Sequence, residues 1–184
     1  MKHAAALQAI LANDPQRRDV LAAVRSPALP DCWVGAGFIR NAVWDYLHDR
    51  LPARRVGDVD VIWFSPDRAR PEDDREVEAT LRGLEPSVDW SVKNQARMHL
   101  RNGDAPYASA IEAIGHWPET ATAVAARQTA DGSFEIAAPF GLGDLFDLIL
   151  RPTPSFAGDK RRVYLDRIES KRWLTMWPRL RIMK

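Results

Sequence analysis

The chain has 184 residues, enough for one domain with a real core and short for two. Hydrophobic residues make up 46 % and charged residues 28 %, which excludes a disordered chain, and the formal net charge of +1 excludes a global basic field acting on nucleic acid. The single cysteine, Cys32, rules out an internal disulfide and a thiolate zinc cluster.

No apolar run reaches the roughly 20 residues that cross a bilayer. The N-terminal apolar stretch is broken by Gln8 and followed by Asn13-Asp14-Pro15, which is no cleavage site. A cytoplasmic protein without a membrane partner is expected. Seven Trp residues imply a large apolar payload or a flat-walled pocket.

Leu7, Ile10 and Leu11 lie at helical spacing, and a second helix is expected over 15–25 with Asp14 as its cap and Pro15 in its first turn. Residues 26–31 hold two prolines and read as a connector. Cys32 then reads as a small buried residue ahead of Trp33-Val34, a short apolar strand ending in Gly35-Ala36-Gly37. The helix expected next carries two apolar rows, Phe38-Ala42-Tyr46 and Ile39-Val43-Leu47, with Arg40, Asn41, Asp45 and His48 off the stripe.

Val59 to Phe64 is strongly β-prone and Ser65-Pro66 stops it. Residues 68–82 read as a charged, solvated helix, 87–92 as the next strand, 94–100 as a turn or short helix, and 108–117 as a helix. Residues 124–129 and 133–136 flank Ala130-Asp131-Gly132, a hairpin signal. Helices are expected over 141–150 and 159–173, separated by Arg151-Pro152-Thr153-Pro154. The expected class is α/β in the α+β sense: one domain over 1–184, with a mixed-sheet core at about 26–140 and a helical part at about 141–184.

Three features carry chemistry. In Gly57-Asp58-Val59-Asp60-Val61, residues two apart share a strand face, so Asp58 and Asp60 project together. Facing carboxylates repel unless a cation lies between them, and hard oxygen ligands suit Mg²⁺ or Mn²⁺; taken alone, the pair also fits two solvated aspartates at a strand start. Asp89, between apolar residues of the next strand, would complete a three-carboxylate cluster if the strands pair. Gly35 and Gly37, between strand and helix, would let phosphate oxygens approach backbone N–H groups, with Arg40 one turn in; an ordinary tight turn is the plainer alternative.

A glycine turn into a helix, then Asp-x-Asp on a strand, then a lone Asp on a later strand resembles the polymerase-beta-like nucleotidyltransferases over residues 33–92. The stretch from Gly37 to Arg40, with Asn41, is similar to the tRNA nucleotidyltransferase branch. The pattern departs where Ala36 follows Gly35 in place of Gly or Ser, and where Asn41 stands for a frequent Asp. The strings Trp90-Ser91-Val92-Lys93-Asn94-Gln95-Ala96-Arg97-Met98-His99, Pro139-Phe140-Gly141-Leu142-Gly143-Asp144-Leu145-Phe146, Arg151-Pro152-Thr153-Pro154 and Trp177-Pro178-Arg179-Leu180 resemble a family of small bacterial nucleotidyltransferase-like proteins across nearly the whole chain.

The resemblance implies metal held by Asp58, Asp60 and Asp89, phosphates held at Gly35 to Gly37, and transfer of a nucleoside monophosphate from a nucleoside triphosphate (NTP) to an acceptor. That acceptor would be a small molecule, a protein or an RNA end. Asn94, Gln95, Arg97 and His99 follow the Asp89 strand and are expected at the same cleft, Arg97 as a phosphate contact. Trp63 and Trp90 fit the core better than a base-stacking role. Residues 160–184 hold nine Lys or Arg against Asp166 and Glu169, a local +7 that would guide a nucleic-acid acceptor or simply be a solvated helix face. A nucleotide-binding module without chemistry, or a phosphoester hydrolase at the same metal site, are the alternative functions.

Overall fold

The structure is a computed structural model that describes residues 2–50 and 57–183. Two helices open the chain, α1 (Lys2–Ala12) and α2 (Pro15–Arg25). The Asp14 carboxylate caps α2 by accepting from the Arg17 backbone N–H at 3.1 Å, and Pro15 occupies its first turn. Strand β1 (Trp33–Gly35) and helix α3 (Gly37–Leu47) follow, then β2 (Val59–Trp63), α4 (Pro71–Leu84) and β3 (Trp90–Asn94). Next come α5 (Met98–Asn102), α6 (Ala110–Gly115) and the hairpin β4 (Ala125–Gln128) and β5 (Phe134–Ala137). The hairpin turns at Gly132, whose φ of +83° lies in the region a side chain disfavours.

The five strands form one mixed sheet in the order β3-β2-β1-β4-β5. Only β2 and β3 run parallel, joined by the α4 crossover, and their register pairs Val59 with Trp90 and Asp60 with Ser91. This is the mixed-sheet fold expected from the sequence. One face of the sheet builds the main core: Val34, Val59, Val61, Trp63, Trp90 and Val92 pack under the helices. The other face carries a smaller cluster around Trp33, Ile62, Ala110 and Ile114, and leaves room beside it. Asp58 and Asp60 belong to this second face, because Val59 and Val61 point into the main core.

The C-terminal part departs from the expected long helices. The helix placed over 141–150 is only α7 (Gly143–Phe146), after which Leu148 takes φ +57° and the chain extends into β6 (Ile149–Leu150). α8 (Pro154–Ala157) and α9 (Arg161–Lys171) follow, and Arg172 at φ +52° breaks the helical path before α10 (Trp173–Met176). The short strand β7 (Arg181–Ile182) then pairs parallel with β6. Lys184, one of the nine basic residues counted above, lies outside the described residues. Among those residues no helix is long and apolar enough to cross a membrane.

Candidate active site

The turn from β1 into α3 sets the site. Gly35 pairs across the sheet with Asp60 on one side and Ala125 on the other. A Cβ there would meet the Trp117 ring at 2.8 Å and the Val124 carbonyl oxygen at 3.4 Å, so the glycine is required by packing. Ala36 takes φ +53°, a region strained for any residue with a side chain, and its N–H donates to the Val124 carbonyl at 3.1 Å. The helix begins at once with Gly37. By helix geometry its first-turn N–H groups lack intrahelical acceptors, and they carry the positive end of the helix dipole.

Gly37, Arg40, Asp58, Asp60, Arg167 and Lys171 share one cleft of about 330 Å³. Burial pushes the Asp60 carboxyl up, and the charge of Asp58 beside it pushes the same way; a hydrogen bond from Ser91 and the charges of Arg167 and Arg40 oppose the rise. Two carboxylates in that relation favour a cation between them. Arg40 is almost fully buried. Its guanidinium donates to the Thr122 hydroxyl and the Asn41 side-chain oxygen, both at 2.9 Å, and lies over the rings of Trp44 and Trp173. Burial lowers its pKa to about 10. These partners occupy Arg40, so its influence on the site is its charge beside Asp60.

Other expected residues sit elsewhere. Asp89 is exposed and immediately precedes β3, one position before the Val59–Trp90 pair and hence beside Asp58, which immediately precedes β2, but it does not line the cleft. Among the described residues no three His, Cys, Asp or Glu side chains converge closely enough to hold a metal ion. Gly35 is committed to the sheet and to Trp117, so within the glycine turn only Ala36 and Gly37 reach the cleft. Arg97 departs from its expected place: it is ion-paired with the buried Asp74 carboxylate of α4. Asn94 is fully buried and works on its own loop, accepting from Ser65 and Ala96 N–H groups and donating to the Ser65 and Arg68 carbonyls. Gln95 and His99 likewise line no part of the cleft. Trp63 and Trp90 are core residues. Burial pushes the half-buried Cys32 thiol up to about 12, which keeps it unreactive.

Arg17, Asp45, Arg167, Lys171, Trp173 and Trp177 also line the cleft, and sequence reasoning did not place them there. The signal for the last four was the local basic charge with two Trp residues; their arrival at Asp60 depends on how α9 and α10 fold back. Trp177 closes that fold by donating its indole N–H to Asp45 at 2.8 Å.

The chain matches the model of a nucleotidyltransferase family over residues 22–182. A structure solved by NMR and described as a CCA-adding enzyme head domain is 33 % identical, with a TM-score of 0.86 over 97 % of this chain and 94 % of that one. The fold also matches a CCA-adding enzyme in complex with CTP (15 % identity, TM-score 0.61, 97 % of this chain and 43 % of that one). The Thermotoga maritima CCA-adding enzyme complexed with tRNA is similar at 15 % identity and TM-score 0.60, over 97 % of this chain and 42 % of that one. The chain therefore spans less than half the length of these two enzymes. No curated protein matches the chain significantly. Family match, identity and fold agree: the chain belongs to this nucleotidyltransferase family, within the polymerase-beta-like superfamily.

Proposed function

We propose that the protein is a cytoplasmic, metal-dependent nucleotidyltransferase that moves a nucleoside monophosphate from an NTP to a hydroxyl-bearing acceptor. The observation that carries this reading is the placement of Asp58 and Asp60 on one sheet face, in one cleft with the N-terminus of α3 at Gly37. The donor set fits a hard divalent cation: both are carboxylates, they repel, and one is partly desolvated. Asp58 and Asp60 would hold Mg²⁺ or Mn²⁺, with Asp89, just ahead of β3, as a third carboxylate that a loaded site can recruit. Two carboxylates suffice for Mg²⁺ when substrate phosphates and water fill its other positions.

When bound, the metal supplies Lewis acidity that eases ionisation of the acceptor hydroxyl and offsets charge on the departing pyrophosphate. The chain's own residues do the rest. First-turn N–H groups of α3 at Gly37 receive phosphate oxygens. Arg167 and, less strongly, Arg40, which lies over two Trp rings, offset the rise that burial and Asp58 impose on the Asp60 carboxyl. The acceptor oxygen bonds to the α-phosphorus, the bond to the bridging oxygen breaks, and pyrophosphate leaves with that electron pair while the hydroxyl proton passes to solvent. The CTP held by one structure of the same fold supports an NTP donor, and the tRNA held by another supports an RNA end among the acceptors.

Titration of the protein with each NTP, with and without Mg²⁺, tests the reading against the Asp58→Ala/Asp60→Ala variant. Metal-dependent binding that the variant loses is expected. Equal binding by the variant, or binding without metal, would favour a nucleotide-binding module without chemistry. Turnover of NTP with water as the only acceptor would favour the hydrolase.

A further inference from the structure

The inward side of α9 has a construction that the carboxylate chemistry does not require. Arg167 and Lys171 are four residues apart, so they stand on one helix face, and both line the cleft together with Asp58 and Asp60. Arg167 donates its Nε–H to Glu119 Oε1 at 3.0 Å. Its two terminal nitrogens make no hydrogen bond to a described residue, and its guanidinium lies over the Trp173 ring. A guanidinium held by Nε alone presents the paired Nη donors that match two oxygens of one phosphate.

Glu119 is fully buried just ahead of β4, close enough to both Arg40 and Arg167 to feel both charges. A buried carboxylate is expensive unless cations face it, and here removing it would leave the buried Arg40 charge uncompensated. Besides offsetting the buried charge of Arg40, it fixes the direction of Arg167 through the Nε–H contact.

We propose that Arg167 and Lys171 form a subsite for the polyphosphate tail of the donor, and that Glu119 is the positioning residue that aims Arg167 into it. The identity of the donor as an NTP rests on the function proposed above; capture of a polyphosphate anion does not. The carboxylates and their metal would offset part of a triphosphate's charge, and the α9 cations would offset what is left over.

The test is calorimetric titration of the full chain with inorganic tripolyphosphate, without divalent metal. Saturable binding at one site is expected. Arg167→Met and Lys171→Met should each weaken it about tenfold, the loss of one charge-assisted contact. Glu119→Leu should weaken it similarly, and should cost nothing further in the Arg167→Met background. Glu119→Gln keeps an acceptor for Nε and should retain wild-type affinity or better it. If Glu119 acted only by neutralising charge, Leu and Gln would both tighten binding, and the proposal would be wrong. It is equally overturned by no binding to the wild-type chain, or by indifference to Arg167→Met and Lys171→Met; these two variants and Glu119→Gln decide the matter if Glu119→Leu does not fold. Tripolyphosphate binding as described, with no metal-dependent NTP binding, would remove the proposed function and leave the anion subsite standing.

Discussion

Gly35→Ala separates two roles that a glycine at this turn can have. The added methyl would meet the Trp117 ring at 2.8 Å and 3.2 Å and the Val124 carbonyl oxygen at 3.4 Å. The first distance is below any real contact, and both neighbours are constrained: Val124 O already accepts from Ala36 N–H, and Trp117 packs against the cluster of Trp33 and Ile62. Overpacking of this kind costs about 1–3 kcal/mol. Removing a glycine returns about 0.4–1 kcal/mol by restricting the unfolded chain. The net is a loss of about 1–2 kcal/mol, or roughly 2–8 °C in melting temperature for a chain of this size. Thermal melts of Gly35→Ala, Trp117→Leu and the double variant measure it. The double variant should lose about 1 kcal/mol less than the two single losses added together, because the ring that clashes is gone. A melting temperature for Gly35→Ala within about 1 °C of wild type, with weakened NTP binding, would refute the packing argument and return the glycine to phosphate approach.

Two further outcomes are expected. Arg97→Met leaves the buried Asp74 carboxylate without its ion pair, although Trp63 and Asn94 N–H groups still donate to it; stability should fall by about 3 kcal/mol in chemical denaturation while NTP affinity holds, and a selective loss of affinity would put Arg97 back in the site. Hydrogen bonds from Thr129 and then Ser133 hold the exposed Asp131 carboxyl down at about 2, against an ordinary 3.8. Its folded value lies below its unfolded one, so its contribution is fully present above about 3.8 and is lost as pH falls through about 2. In Asp131→Asn, urea midpoints followed across that interval should fall less steeply than in wild type; parallel curves would mean the turn carries no such linkage.

The sequence by itself determined the sheet and the placement of Asp58 and Asp60, because both follow from local periodicity. Alternation fixes Val59 and Val61 on one face and the aspartates on the other, and a positive φ at Gly132 suits the hairpin that Asp131-Gly132 announced. Asp14-Pro15 likewise marked the start of α2 through a contact three residues long. What periodicity reads is the geometry of one element at a time. It put Tyr46 on the buried stripe of α3 and Arg40 off it, and the structure reverses both: Tyr46 is 61 % exposed and Arg40 is 6 % exposed. The Arg40-Trp44 row is buried because Trp173 and Trp177, some 130 residues further on, pack edge-on against Trp44. Arg97 followed the Asp89 strand in sequence, but the buried carboxylate of Asp74 across the crossover claimed it. Only the tertiary structure could bring Arg167 and Lys171 to Asp60, since a basic helix has the same local pattern whether it faces water or a cleft. The deciding free energy there comes from long-range burial of Trp rings, and the direction of Arg167 comes from one buried carboxylate, Glu119, that no local pattern reveals.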